Sequence, residues 1–259
     1  LMLYVLFLIT GLFGIAPVHG DQGKVNHSTL VNQIRFEQVS TSVSGDCCQN
    51  LALGKRYEFT SPNYSPCKDP ADATQLTDGR HAESTLWNST DSVGWFGYTP
   101  VSITIDLEKS YPISGAAYST AAGGQRGKLP FGPQWPELCL VFVSDDQEDW
   151  FYAGDLIPEP LDNRILEPDG YTTHQFARHD FAIFGRYVRF IVQPFSTRYV
   201  VVDELEVFAG DAARSQSMSH GERIRDLESY RSRYTCNRLV RTQLRRDLAA
   251  VLEDIRQIQ

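Results

Sequence analysis

From Leu51 to Phe208 the chain runs in short segments rich in β-branched and aromatic residues. Gly, Pro, Asn and Asp break them at roughly ten-residue intervals. The clearest segment alternates: Val101, Ile103, Ile105 and Leu107 share one face, while Ser102, Thr104 and Asp106 point the other way. Leu138 to Val143, Tyr187 to Val192 and Leu205 to Phe208 read similarly. Strands apolar on one face must bury it against a second layer, so the expectation is an all-β sandwich. Two interruptions, Ala121 to Pro136 and Pro158 to Thr173, are rich in Gly or Pro and exceed hairpin length. They are expected to be binding or packing loops.

Five segments within this region stand in a definite order. They are Asn50-Leu51-Ala52-Leu53-Gly54-Lys55; Thr77-Asp78-Gly79 followed by Thr85-Leu86-Trp87; Ile103-Thr104-Ile105-Asp106-Leu107; Gly185-Arg186-Tyr187-Val188-Arg189-Phe190; and Val202-Asp203-Glu204-Leu205-Glu206-Val207-Phe208. As an ordered set they resemble the discoidin domain (the coagulation factor V/VIII type C domain) and its bacterial relatives, the galactose-binding-like carbohydrate-binding modules. The resemblance covers about residues 48–210. It implies a jelly-roll β-sandwich that binds carbohydrate and is not an enzyme. It also implies a structural calcium ion where the Asp-Gly loop meets the last strand. The matching positions are Asp78, the backbone carbonyls near Gln75 and Arg80, the Thr85 hydroxyl and Glu204. Such a set suits Ca²⁺, which takes six to eight hard oxygen ligands, and Gly79 permits the positive φ of a tight ligand loop. The family often joins its ends by a disulfide. No Cys lies near Val207, so that bridge is missing or replaced here.

A sugar platform needs an exposed ring for the pyranose face and polar groups for its hydroxyls. Tyr64, Trp87, Trp95, Phe96, Tyr98, Phe131, Trp135, Trp150 and Tyr199 all flank the loops. The resemblance assigns Trp87 to the sandwich interior, which leaves Trp95 and Trp135, with Arg126 of the Gly-rich loop, as ligand-binding candidates. Asp145-Asp146, Glu148-Asp149 and Asp203-Glu204-Glu206 offer the paired carboxylates that glycoside hydrolysis requires. Ser144 to Asp149, however, reads as a polar turn between strands. Neither Gly-x-Ser-x-Gly nor His-Glu-x-x-His occurs, and His174 and His179 lack a third ligand.

Residues 1–20 carry no charge, with an apolar run from Leu3 to Ile15 and small residues before Asp21. They read as a signal peptide, placing the chain outside the cell or in the periplasm; the run is too short to span a bilayer. Residues 21–47 form a polar leader, with a possible short strand at Ile34–Val39. Fourteen basic and twenty-six acidic residues from Asp21 to Ala213 give a net −12, which argues against a nucleic-acid surface. Five cysteines (Cys47, Cys48, Cys67, Cys139, Cys236) allow up to two disulfides. Asn26, Asn63 and Asn88 head glycosylation sequons.

Residues 211–259 change character, with ten Arg against six acids from Arg214 onward. Leu244, Leu248, Val251, Ile255 and Ile258 step by 4, 3, 4 and 3, an a/d seam. Ile224, Leu227 and Tyr234 suggest an earlier helical turn or a separate helix. An apolar stripe must be covered. The expectation is therefore an appended α-helical tail that self-associates, docks within the chain or opens a downstream domain. The alternatives to a free-standing sugar binder are an assembly module acting through this helix, or the accessory part of a larger polysaccharide-acting hydrolase. Deleting the tail after Ala213 is expected to leave the β domain folded.

Overall fold

The structure is a computed structural model of the 259-residue chain. It describes residues 49–60, 74–83, 85–86, 89–96, 100–123, 133–157, 171–194, 199–216 and 222–258. The signal peptide, the leader with its strand at 34–39, Cys47, Cys48, Cys67, Trp87, Arg126 and most of both long loops lie outside them. The described residues all belong to one compact unit, residues 44–259.

Nine strands are described, all paired antiparallel: β1 (Tyr57–Phe59), β2 (Val93–Phe96), β3 (Val101–Ala122), β4 (Leu138–Ser144), β5 (Trp150–Asp155), β6 (Thr172–Arg178), β7 (Ile183–Gln193), β8 (Tyr199–Ala209) and β9 (Arg223–Ile224). The strand order is β2-β8-β3-β7-β4-β5-β9, with β1 and β6 also pairing with β3. Strand β3 serves both layers. Its first half pairs with β1 and β7, its second with β6 and β8. Between the halves the register slips from Asp106 to Tyr111, and Glu108 takes φ 72°. A non-glycine residue rarely holds that conformation unaided. Here Asp106 accepts the Glu108 amide at 2.7 Å and is clamped by both Arg186 donors at 2.8 Å.

The interior follows the sequence alternation. Val101, Ile103, Ile105 and Leu107 are fully buried against Tyr118, Val141, Val188, Phe190, Val202 and Leu205. At about 25 cal/mol per Å² of apolar surface, each contributes on the order of 1.5–3 kcal/mol. The first and last motif segments close the frame. The Asn50 side chain accepts the amides of Ala52 (3.0 Å) and Val207 (3.1 Å), and Leu51 donates to the Val207 carbonyl. The architecture is a jelly-roll β-sandwich with a C-terminal helix.

Strand β4 departs from the expected alternation, because every residue from Leu138 to Ser144 is buried. Its second face is covered by the tail. Beyond a short helix α1 (Ala212–Gln216) and β9, one 32-residue helix α2 runs Leu227–Ile258. Asp226 caps it, its carboxylate accepting the Ser229 amide at 2.9 Å. Leu227, Tyr230 and Tyr234 pack on Leu138, Leu140, Phe142, Trp150 and Ile191, and Tyr230 stands edge-on to Phe142 at 5.5 Å. Ile224, expected as helical, instead pairs with Trp150 in β9. Deletion after Ala213 would strip this cover from Trp150, Phe142 and Leu140. Cys139 is buried and Cys236 exposed, and both are free thiols. The other three cysteines lie outside the described residues.

Candidate functional site

The Asp-Gly loop meets the closing strand as expected. A short 3₁₀ turn, Gln75–Thr77, leads into Asp78 and Gly79, where φ is +77°. The Gly79 amide donates to Glu204 Oε1 at 3.1 Å. One residue earlier, Asp203 Oδ2 accepts the Ala82 amide at 3.1 Å and lies 3.4 Å from His81 Nδ1. Consecutive strand residues normally face opposite ways. Here Ser119 pairs with Glu204 and Thr120 with Val202, so Asp203 is the extra residue of a β-bulge, and both carboxylates reach the loop. Sequence reasoning named Asp203 only among the paired carboxylates, not at this corner, and missed the bulge. The adjacent acidic pair was its only trace.

Both carboxylates are almost fully buried, and Glu204 Oε2 and Asp203 Oδ1 have no hydrogen-bond partner. Burial pushes the Glu204 carboxyl up to about 8, against the Gly79 hydrogen bond, which lowers it; the charges of Asp78, Glu206 and Asp203 add to the rise. Two orphaned carboxylate oxygens within a ring of like charges fit a hard cation. The remaining expected ligands sit on the same loop. Gln75 Nε2 donates to the Ser92 carbonyl at 3.1 Å, the exposed Asp78 accepts the Arg80 amide at 2.8 Å, Arg80 is exposed and Thr85 is half-buried. Among the described residues no three His, Cys, Asp or Glu side chains converge as a metal site. A cation here would depend on carbonyl and hydroxyl oxygens as well.

The aromatic platform is not where the sequence placed it. Trp95 and Trp135 are each 3% exposed. Trp95 packs edge-on to Phe59 at 5.4 Å, and Trp135 edge-on to Phe176 at 5.6 Å and His174 at 5.9 Å. Neither ring has an open face to stack on, so both are corrected to packing roles. The two histidines do not come together: His174 joins this cluster, while His179 stacks on Phe208 at 4.6 Å. Of the paired acids, Asp146 accepts the Glu148 and Asp149 amides within its turn, and Asp149 is held by Arg225 at 2.7 Å.

An open cleft of about 630 Å³ lies between β6, the residues following β5, and α2. Alternation along β6 sets His174, Phe176 and Arg178 on one face. Phe176, Leu156 and Ile157 form an apolar floor, and Tyr234 and Arg241 contribute from the helix. The helix is fixed there by a buried ion pair, Arg238 to Asp155 at 2.6 Å, with Asp155 also accepting the Cys139 and Ile157 amides. Burial pushes the Asp155 carboxyl up, opposed by the Arg238 charge and these hydrogen bonds. Burial pushes His174 down, so its imidazole is neutral at pH 7 and offers one donor and one acceptor. Arg178 is braced by Asp180 at 2.8 and 2.5 Å, and the Arg241 guanidinium lies 5.6 Å from the Tyr234 ring. The β6 half was visible as a period-2 pattern. The helical half comes from more than fifty residues away and left no local signal.

No family model matches the chain, and no curated protein matches it. Among solved structures it is similar to the module CpGH89CBM32-5 of Clostridium perfringens, in complex with GalNAc-β-1,3-galactose. The identity is 17%, the coverage 62% of this chain and 100% of that one, and the TM-score 0.41. It is similar also to the lectin domain of lectinolysin complexed with Lewis B antigen (15%; 63% and 98%; TM-score 0.40) and to chitosan-binding module 1 of a chitosanase/glucanase from Paenibacillus sp. IK-5 (17%; 62% and 99%; TM-score 0.38). The chain is, on its own strand order and pairing, a jelly-roll β-sandwich carrying a docked C-terminal helix.

Proposed function

We propose that this chain is a non-catalytic carbohydrate-binding module whose site is the cleft between β6 and α2. The cleft itself carries the proposal. Its planar donors (His174, Arg178, Arg241) and the Tyr234 ring suit hydroxyl recognition, above a buried apolar base of Phe176, Leu156 and Ile157. A volume of about 630 Å³ holds one or two sugar units. This replaces the loop platform of Trp95 and Trp135 with a site half built by the tail. Screening the full chain on a glycan array, then titrating the best hit calorimetrically, tests it. Arg241→Ala should weaken binding about tenfold or more with the melting temperature unchanged, and His174→Ala should weaken it as much while lowering the melting temperature, since its ring also packs on Trp135 and Phe176. Equal affinity in both variants would move the site elsewhere.

Calcium is proposed as a structural ligand at the loop corner, held by Glu204 and Asp78 with the Thr85 hydroxyl and the carbonyls of Gln75 and Arg80. Its chemistry there is charge neutralisation: it would clip the Asp-Gly loop to β8 and stand apart from sugar contact. Export through residues 1–20 and a place within a larger polysaccharide-acting protein complete the reading. No helix among the described residues is long and apolar enough to cross a membrane. The second reading, an assembly module, is favoured by one observation, the apolar stripe on the outer part of α2.

A further inference from the structure

The cleft between β6 and α2 presents charge rather than apolar surface. Phe176, Leu156 and Ile157 at its base are each 3% exposed or less, so a ligand meets polar groups. Two of these are guanidiniums from different elements, Arg178 of β6 and the exposed Arg241 of α2. Among the described residues that line the cleft Asp155 is the one acid, and both its oxygens are taken. Oδ1 accepts the Cys139 and Ile157 amides, and Oδ2 accepts from Arg238 Nη1 at 2.6 Å in a pair buried on both sides. Asp180 braces Arg178 through Nε and Nη2, and the Arg178 side chain keeps 37% exposure. A Cβ at position 154 would stand 2.7 Å from Arg178 Nη1, so Gly154 makes the room in which this guanidinium lies, beside the Phe181 ring.

Taken with the groups that hold them, three guanidiniums (Arg178, Arg238, Arg241) stand against two carboxylates (Asp155, Asp180). The cleft is thus net positive in a chain whose formal charge is −8. His174, pushed down by burial, adds a donor and an acceptor but no charge. A neutral sugar gives the excess arginine no counter-charge. A carboxylate or sulfate ester does: its hydrogen bonds to a guanidinium are roughly twice as strong as neutral ones, and its oxygens match the planar fork. The surrounding surface sets the upper limit. Residues 21–213 carry a net −12, which repels a densely charged polyanion, while one group in contact with arginine lies well inside the screening length of about 8 Å. We propose that the cleft takes an acidic glycan, with one carboxylate or sulfate ester on an otherwise neutral sugar held by Arg241 and Arg178. This specificity rests on the cleft being the sugar site.

The test is a glycan array on which each sialylated, glucuronate-containing or sulfated glycan stands beside its carboxyl-reduced or desulfated counterpart. The full chain should bind the acidic members. In calorimetric titration of the best pair the acidic member should bind about tenfold or more tighter, the factor expected of one charge-assisted contact. That preference should shrink about threefold or more as sodium chloride rises from about 0.05 to about 0.5 M, because the contact is partly open to water. Arg241→Gln should bring both members to the affinity of the neutral one, and Arg241→Lys should keep part of the preference. A response from the carboxylated or from the sulfated pairs supports the specificity and names the anion. Neutral members bound as tightly as acidic ones, in a protein still weakened by Arg241→Ala, overturn the acidic specificity alone and leave the cleft a sugar site. An acidic preference untouched in Arg241→Gln overturns it as well. Binding of no glycan at millimolar concentration overturns the sugar site, and the specificity with it.

Discussion

Glu204→Gln isolates the loop corner, because it keeps the shape of the side chain and removes its charge. The Glu204 carboxyl is pushed up to about 8, first by burial and then by the neighbouring acids, from an ordinary 4.5. A folded-state value above the unfolded one means the folded protein keeps a proton that the unfolded chain has released. Stability from this group is therefore full below about pH 4.5 and is lost as pH rises through about 8. At about 1.36 kcal/mol per unit the whole shift corresponds to roughly 5 kcal/mol, and relaxation around the ion brings the expected loss to about 2–3 kcal/mol. For a domain of this size that is roughly 5–10 °C. Thermal melts in chelator should therefore fall by that amount between pH 5 and pH 9 in the natural protein and stay level in the variant, which at pH 9 should be the more stable of the two. Calcium at about a hundred times its dissociation constant should return about 2.7 kcal/mol to the natural protein and little to the variant. Parallel pH curves for the two proteins in chelator, or an equal response to calcium, would refute the reasoning.

Three further substitutions test the frame. Arg238→Met leaves Asp155 buried and unpaired, and should cost about 3–5 kcal/mol in urea denaturation; adding Asp155→Asn should recover a substantial part. Asn50→Ala removes the acceptor shared by the Ala52 and Val207 amides and should cost about 1–3 kcal/mol by the same assay, while Asn50→Asp should cost less. The carboxyl of Asp106 is held below its ordinary value, chiefly by the hydrogen bond from Arg186, so its stabilisation is present above the unfolded value of 3.8 and lost as pH falls below it. The pair is more than a third exposed, so Asp106→Asn should cost under about 1 kcal/mol at pH 7 and flatten the acid limb of the stability curve.

Legibility followed locality. Val101 to Leu107 could be read because one face of the strand meets the core and the other meets water, which writes a period of two into the sequence. Leu138 to Val143 was misread as alternating because α2 covers its second face, a contact made by Tyr230 and Tyr234 far along the chain. The seam from Leu244 to Ile258 was legible as a helix. Its first three turns were not joined to it, although Leu227, Tyr230 and Tyr234 keep the seam's register, because polar Asn237 and Arg241 stand at the intervening d and a positions. At the loop corner Asp78, Gly79 and Glu204 were found through their resemblance to a family pattern. Asp203 was not, because a bulge depends on pairing and has no composition of its own. Tryptophans flanking loops look alike in sequence whether they line a ligand or fill a core. Burial assigned Trp95 and Trp135 to packing.

The central claim is that the cleft between β6 and α2 holds a sugar. Calorimetric titration of the full chain and of Arg241→Ala with its best array ligand tests it most directly. The account predicts one sugar site per chain in the natural protein, and an affinity lower by about tenfold or more in a variant that melts at the same temperature. A natural protein that binds no glycan at millimolar concentration, or a variant that binds as tightly as the natural protein, contradicts it.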